Sequence, residues 1–279
     1  MIAHSTRRLS RLAFVGTAAL LFGAAAIAPA AAAEPRPVPE VGSVPPVTLN
    51  VFRPDAFRFQ DPNYAACTAT SALVMLNTIA LNGNGGAAFR WTPRYAISTV
   101  DAILQWERTH DTLEGGKGSD PHGWRNALNY YGWGTTALYA GTRVYDDFAY
   151  GSYARAIKAG IRQLIATRKP FGILAWGGRH AQFITGYAGL KGNPFAKDAS
   201  GNYTNAFTVE SLYLSDPLKA DGFVNAKIGY DTLASTSNAK LRFVPYAETD
   251  SPFDDPYTAG TKPARDEWLN KWVIVAPIR

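Results

Sequence analysis

Residues 60–81, QDPNYAACTATSALVMLNTIAL, carry the first helix signal of the sequence. The part that begins at Cys67 contains neither glycine nor proline, and its small or apolar side chains recur at intervals of four, three and four residues. These positions are Ala69, Leu73, Leu76 and Ala80. The spacing puts them on one face of a helix, so the pattern predicts a helix from Cys67 to about Leu81.

Three further helices and four strands are predicted downstream. Ser98 and Asp101 have capping-box spacing at the start of one helix. Another helix begins at an N-cap, Asp120, followed by a proline at the first helical position. Helices come first along the chain and strands later, which indicates an α+β fold with an antiparallel sheet. The predicted helices span 98–109, 121–132 and 153–167, and the predicted strands span 171–176, 181–187, 206–214 and 272–275.

The N-terminal segment has the pattern of a signal peptide. Residues 1–33 contain three arginines and no acid, then an apolar run of about 17 residues and a small-residue end. A membrane-spanning helix needs about 20 apolar residues. We therefore expect cleavage after Ala33, secretion, and no stable membrane anchor after cleavage. Six prolines make 34–54 an extended leader, and we expect one domain over 55–279.

Charge and cysteine content exclude several classes of protein. The formal net charge is +6, but three of the 28 basic residues lie in 1–33, which leaves 25 basic against 22 acidic side chains. This mild excess, without a basic stripe, argues against a nucleic-acid partner. The chain has one cysteine, so it forms no internal disulfide. At 47% hydrophobic residues it is not a disordered chain.

The one cysteine, Cys67, is the sharpest chemical feature. It stands at the predicted start of a helix, where the helix dipole and free backbone N–H groups favour the thiolate, the reactive form of cysteine. The alternative is a small buried hydrophobic residue, the usual role of a free cysteine. Export argues against that alternative, because an unpaired thiol outside the cell is open to oxidation.

A nucleophilic thiol needs a base, and three histidines follow the predicted signal peptide. His110 ends a predicted helix, where a cation suits the dipole. His122 lies in the first turn of a helix, which suggests either a functional site or a buried hydrogen bond. His180 follows a glycine-containing turn and opens an apolar strand. Asp216 ends the next long strand, so it reaches His180 if the two strands pair.

Three segments resemble papain-like cysteine peptidases. They are QDPNYAACTATSA at 60–72, KPFGILAWGGRHAQFITGY at 169–187 and LYLSDPL at 212–218. In this order they resemble the nucleophile helix, the histidine strand and the aspartate motif of such enzymes. The likeness is strongest to the double-glycine leader peptidase family (cysteine-peptidase family thirty-nine) and its secreted bacterial relatives.

The resemblance implies a papain-like fold and acyl transfer to a thiol. Cys67 would be the nucleophile, His180 its base and Asp216 the group that orients the imidazole. The backbone N–H of Cys67 and the side chain of Gln60 would stabilise the oxyanion. The substrate implied is a peptide or another amide, and no metal or cofactor is required. We expect the Cys67 sulfur on one ring nitrogen of His180 and Asp216 on the other.

Some positions depart from the family pattern and keep a second function open. Thr68 and Ala69 stand where the family has Gly-Pro, and Gln60 precedes Cys67 by seven positions instead of six. His180 and Asp216 are 36 residues apart, a longer gap than is usual. The loop 191–202 accounts for the long gap. The altered Cys-Thr-Ala motif and the position of Gln60 favour the alternative, a catalytically inactive papain-like domain that binds a peptide or glycan outside the cell.

Two more alternatives follow from the residues alone. Cell-wall amidases and transglutaminases also use Cys, His and a third polar residue in this order, with a different acceptor for the acyl group. Asp250, Asp254 and Asp255 offer oxygen ligands of the kind that calcium prefers, although their spacing matches no known calcium loop. The oligomeric state and the natural substrate are not indicated by the sequence.

Overall fold

The computed structural model describes residues 44–83, 97–115, 118–134, 142–218, 222–238, 240–255 and 262–279. The predicted signal peptide and the first ten residues of the predicted leader lie outside these ranges. Within the part that is described, no helix combines the length and apolar character needed to cross a membrane.

The described residues form helices and strands in an α+β arrangement, as the sequence predicts. The helices are α1 (Cys67–Leu81), α2 (Ile97–Arg108), α3 (Pro121–Trp133), α4 (Tyr153–Thr167), α5 (Tyr230–Leu233) and α6 (Ala264–Trp268). The strands are β1 (Leu49–Asn50), β2 (Tyr145–Tyr150), β3 (Phe171–Ala175), β4 (His180–Ala188), β5 (Lys191–Gly192), β6 (Phe207–Thr208), β7 (Ser211–Ser215), β8 (Ala226–Gly229) and β9 (Trp272–Pro277).

One antiparallel sheet organises the domain. Its strand order is β2-β9-β3-β4-β7-β8, and β1 pairs with the second half of β4. All of these pairings are antiparallel, so the predicted sheet type is confirmed. β5 and β6 form a separate two-stranded ladder.

Helices cover both faces of this sheet. Successive residues of a strand point to opposite faces, and Ile173 and Leu174 accordingly belong to different core clusters. Leu174 packs in the cluster formed with α1, α2 and α3, whereas Ile173 packs in the cluster formed with α4. The central strands β3 and β4 are buried along their whole lengths. Burial on both faces explains why they are nearly continuous apolar runs in the sequence.

Most predicted elements agree with the structure to within a residue or two, and the exceptions have local causes. The predicted strand 206–214 is divided into β6 and β7, because β6 pairs with β5 in the separate ladder whereas β7 pairs with β4 and β8. α2 begins at Ile97, so Ser98 lies inside the helix and not at its N-cap. β2 and β8 were not predicted.

The described end of the leader lies along the sheet. β1 pairs with β4, with Leu49 opposite Tyr187. The hydroxyl of Tyr187 donates to the carbonyl of Pro46 at 2.9 Å, and Val51 is buried. The last residues of the proline-rich segment therefore pack on the domain.

Candidate active site

Cys67 is the first residue of α1, and the N-terminus of this helix has no side-chain cap. The N-cap residue is Ala66, whose methyl group accepts no hydrogen bond. The first N–H groups of a helix lack partners within the helix, so they remain for other acceptors. The Cys67 sulfur accepts hydrogen bonds from the backbone N–H groups of Thr68 and Ala181. Cys67 is partly buried as a whole residue.

The sheet brings His180 and Asp216 to this thiol. His180 is the first residue of β4, and Asp216 directly follows β7. Because β4 and β7 are antiparallel neighbours, the start of one strand lies beside the end of the other. His180 Nε2 and Asp216 Oδ1 are 2.7 Å apart. The imidazole also hydrogen-bonds the Cys67 side chain, which leaves Nδ1 as the nitrogen that faces the sulfur.

The electrostatics of the pair favour thiolate and imidazolium. Burial raises the pKa of the Cys67 thiol. The hydrogen bond and charge of His180, together with the two backbone hydrogen bonds, lower it by more than burial raises it, so the net shift is downward. Burial lowers the pKa of His180, but hydrogen bonds to Asp216 and Cys67 outweigh burial and raise it to about 9. A lowered thiol pKa and a raised imidazole pKa both favour transfer of the thiol proton to the imidazole, which gives a thiolate–imidazolium ion pair.

Asp216 is held in place by groups that the sequence did not indicate. Its Oδ1 accepts from the backbone N–H of Leu218 at 2.8 Å, and its Oδ2 accepts from Gln182 Nε2 at 2.7 Å. Gln182 Nε2 also donates to the carbonyl of Lys240 at 2.8 Å. Gln182 is completely buried. A glutamine inside an otherwise apolar strand was the available signal, because a buried amide needs partners.

The turn before His180 is built for close packing. The Trp176 indole stacks on the His180 ring, with centroids 4.3 Å apart and planes 23° apart. Trp176 has a φ of 57°, an uncommon conformation for a bulky residue, and Gly177 and Gly178 continue it with φ values of 71° and 104°. A Cβ at Gly178 would lie 2.4 Å from the Tyr246 ring. The absence of a side chain at Gly178 therefore leaves room for the Tyr246 ring.

Gln60 is buried near the aspartate segment. Its backbone N–H donates to the carbonyl of Pro217 at 2.8 Å, and its side-chain Nε2 donates to the carbonyl of Tyr64 at 2.8 Å. Its Oε1 is buried and has no partner among the described residues. One of the two amide hydrogens of Gln60 is thus committed to Tyr64.

A buried carboxyl group next to the thiol was not predicted. Glu107 of α2 is fully buried, and its Oε2 accepts from the Thr68 hydroxyl at 2.6 Å. Burial raises the pKa of Glu107 well above its usual range; the Thr68 hydrogen bond opposes this, and the charge of the nearby Cys67 adds to it. The amphipathic pattern of α2 does not distinguish a buried glutamate from a solvated one, so the sequence carried no signal for it.

The other candidate residues lie elsewhere. His110 stacks on Trp106, with ring centroids 3.7 Å apart. Among the described residues the three aspartates considered for calcium do not form one site, because Asp250 and Asp254 are exposed whereas Asp255 is buried and bonds to Arg125 Nη2 at 2.7 Å. The interpretation of these residues as a calcium loop is therefore wrong.

Comparison with known protein families and with curated proteins identifies no relative of this chain. No model of a known protein family matches the sequence, and no curated protein matches it either. The arrangement of Cys67, His180 and Asp216 in this fold is therefore the basis for assigning a function.

Proposed function

We propose that this protein is a secreted cysteine peptidase, or a related thiol amide hydrolase, with a papain-like fold. One observation carries the proposal: a thiol at a helix N-terminus hydrogen-bonds a histidine that is itself bonded to a buried carboxylate. Nucleophile, base and orienting group in this relation are the recurring elements of acyl-transfer sites. The packing of α1 against an antiparallel sheet agrees with the proposed fold.

The reaction follows from the proton positions. In the resting pair the proton is on His180 and the charge is on the Cys67 sulfur. The thiolate attacks the carbonyl carbon of a peptide or other amide, and the carbon–oxygen π electrons move to the oxygen. The imidazolium gives its proton to the leaving amine as the carbon–nitrogen bond breaks. His180 then takes a proton from water, and the resulting hydroxide attacks the thioester carbonyl. The carbon–sulfur bond breaks, which releases the acid and restores the thiolate and imidazolium.

Different groups stabilise the charges that develop. The backbone N–H of Cys67, at the uncapped start of α1, is the main donor proposed for the oxyanion. The second amide hydrogen of Gln60 is a further donor. Asp216 stabilises the imidazolium. Hydrogen bonds from Gln182 and from the backbone N–H of Leu218 fix the orientation of its carboxylate. The mechanism uses no metal ion or cofactor.

The pH dependence of alkylation tests the proposal directly. Cys67 is the one thiol of the chain, so iodoacetamide labelling followed by mass spectrometry reports on it alone. We expect labelling to persist well below pH 7 in the parent protein, and to follow an ordinary thiol near pH 8.5 in His180→Ala. His110→Ala removes an imidazole that stacks on Trp106 and serves as the matched control. A parent profile centred near pH 8.5 contradicts the proposal.

A second candidate function is a binding domain that does not cleave. The commitment of Gln60 Nε2 to Tyr64 favours it, because a weak oxyanion site leaves substrate bound without reaction. Screening peptide and peptidoglycan-derived amides for hydrolysis by the parent and Cys67→Ala separates the two. Hydrolysis that is lost in Cys67→Ala supports the enzyme. Equal binding by both proteins, with no hydrolysis by either, supports the binding domain.

A further inference from the structure

A second buried histidine lies outside the site of Cys67 and faces three carboxylates. His122, in the first turn of α3, is 1% exposed. Its Nε2 lies 3.6 Å from Asp147 Oδ2, 3.7 Å from Glu267 Oε2 and 3.8 Å from Asp255 Oδ2. These separations exceed hydrogen-bond length. The other ring nitrogen, Nδ1, is buried without a hydrogen-bond partner among the described residues.

Carboxylates and arginines surround His122. Arg125 bonds to Asp147 Oδ1 at 2.6 Å and to Asp255 Oδ2 at 2.7 Å. Among the described residues the cluster contains four carboxyl groups and two guanidinium groups. A cation beside His122 Nε2 would therefore face more carboxyl than guanidinium groups. The members of the cluster are Arg125, Arg143, Asp146, Asp147, Asp255 and Glu267.

Three side-chain atoms in this cluster are close enough together to bind one metal ion. His122 Nε2, Asp147 Oδ2 and Glu267 Oε2 all lie within 4.8 Å of one another. Zinc binds nitrogen and carboxylate oxygen at about 2.0–2.2 Å, so neighbouring ligands of a tetrahedral ion are about 3.4 Å apart. The nitrogen–oxygen separations of 3.6 and 3.7 Å need only a small contraction to reach this value.

The surroundings of the three groups also suit an ion. Trp268 Nε1 donates to Asp147 Oδ2 at 2.9 Å, a second contact of the kind that orients a ligating carboxylate. The Glu267 side chain is 40% exposed, which provides a path for entry from solvent. Asp255 Oδ2 already accepts from Arg125 and is left out of the ligand set.

We propose that His122, Asp147 and Glu267 bind one divalent transition-metal ion of the zinc type, with solvent in the fourth position. The three ligands come from α3, β2 and α6, so the ion would join three separate segments of the chain and stabilise the folded state. Calcium is a poorer occupant, because it requires six or more oxygen ligands. The alternative occupant is a proton: an imidazolium at His122 would supply one positive charge without a metal.

Zinc binding in a Cys67→Ser background tests the proposal without interference from the thiol. The untagged protein is stripped with a chelator, dialysed against zinc chloride and analysed for metal. We expect about one zinc ion per chain and a higher melting temperature with zinc, because an ion that binds only the folded state stabilises it. Glu267→Gln should weaken binding at least about tenfold, since even outer groups of metal sites contribute 10–100-fold.

Asp266→Asn is the matched control, because it removes the same charge from the neighbouring exposed position of α6. It should leave zinc affinity within about twofold, as expected for a surface charge. The proposal is overturned by the absence of bound zinc in the parent, which would leave the proton as the occupant. It is equally overturned if Glu267→Gln and Asp266→Asn bind zinc alike, since the ion then sits elsewhere. Circular dichroism verifies that each variant is folded.

Discussion

The Thr68 hydroxyl donates to Glu107 Oε2 at 2.6 Å, and Thr68 is the residue next to the thiol. The other oxygen of Glu107 is buried without a hydrogen-bond partner among the described residues. A carboxyl group in this environment retains its proton at pH values where an exposed glutamate has lost it, because burial disfavours the charged form.

Replacement of Glu107 by glutamine should therefore change how stability depends on pH. Below the ordinary pKa near 4.5, Glu107 is protonated in both the folded and the unfolded protein. Above it the unfolded chain loses the proton first, so the free energy of unfolding of the parent falls as pH rises towards the folded pKa. Urea titrations at pH 4, 6 and 8 should show Glu107→Gln gaining stability over the parent with pH. Glu114→Gln, at an exposed position, is the control. A constant difference at all three pH values contradicts the prediction.

Asp216→Asn should make the thiol less acidic. A hydrogen bond to a charged group contributes about 1.5–3 kcal/mol, so its loss moves the alkylation midpoint upward by about one to two pH units. The direction follows because Asp216 raises the pKa of His180, and a weaker imidazolium stabilises the thiolate less. The exposed Asp254→Asn variant should leave the midpoint in place. An unmoved midpoint in Asp216→Asn would show that Asp216 only supports packing.

Trp176→Leu should shift the same midpoint upward by a smaller amount. An aromatic face over a cation contributes about 0.5–2 kcal/mol, which corresponds to about half to one and a half pH units. Trp176→Phe retains an aromatic ring over His180 and should keep most of the effect. Both variants lose the 3.2 Å bond from Trp176 Nε1 to Lys240, so their difference isolates the stack. Identical alkylation profiles for Trp176→Leu and Trp176→Phe would show that the stacked ring does not affect the midpoint.

Gly178→Ala should destabilise the protein through two effects. The φ of 104° is strained for alanine, and the new Cβ would lie 2.4 Å from Tyr246. Together these cost about 2–5 kcal/mol. Gly201→Ala separates the two effects, because Gly201 has a φ of 83° with no atom within 4 Å of the added Cβ. Chemical denaturation should rank parent, Gly201→Ala and Gly178→Ala in falling stability. Equal losses in the two variants would mean that Tyr246 moves aside easily.

The sequence predicted those parts of the fold and of the site that have a recognisable local sequence pattern. Cys67 begins a stretch without glycine or proline, His180 follows a glycine-containing turn and Asp216 follows a predicted strand. Each position was therefore visible without knowledge of the tertiary structure. β2 was not predicted, because its local sequence does not have a strand pattern. Asp146 and Asp147 are unfavourable strand residues, and their ion pairs with Arg125 supply the stabilisation that the local sequence does not.

The positions that support the site could not be predicted in this way. Gln182 reaches Asp216 only because β4 and β7 are neighbours, and Glu107 reaches Thr68 only because α2 packs on α1. Both contacts depend on register and helix orientation, which a single sequence does not specify. The contacts of His122 with β2 and α6 are of the same kind.

The uncapped start of α1 and its contact with β4 make Cys67 a reporter of folding. The thiol acquires its lowered pKa only when Ala181 and His180, more than 100 positions along the chain, dock against it. A partly folded molecule in which α1 has formed without the sheet would carry a thiol near its ordinary pKa of about 8.5. Pulsed alkylation at low pH during refolding would therefore label native molecules selectively and measure when the final long-range contact forms.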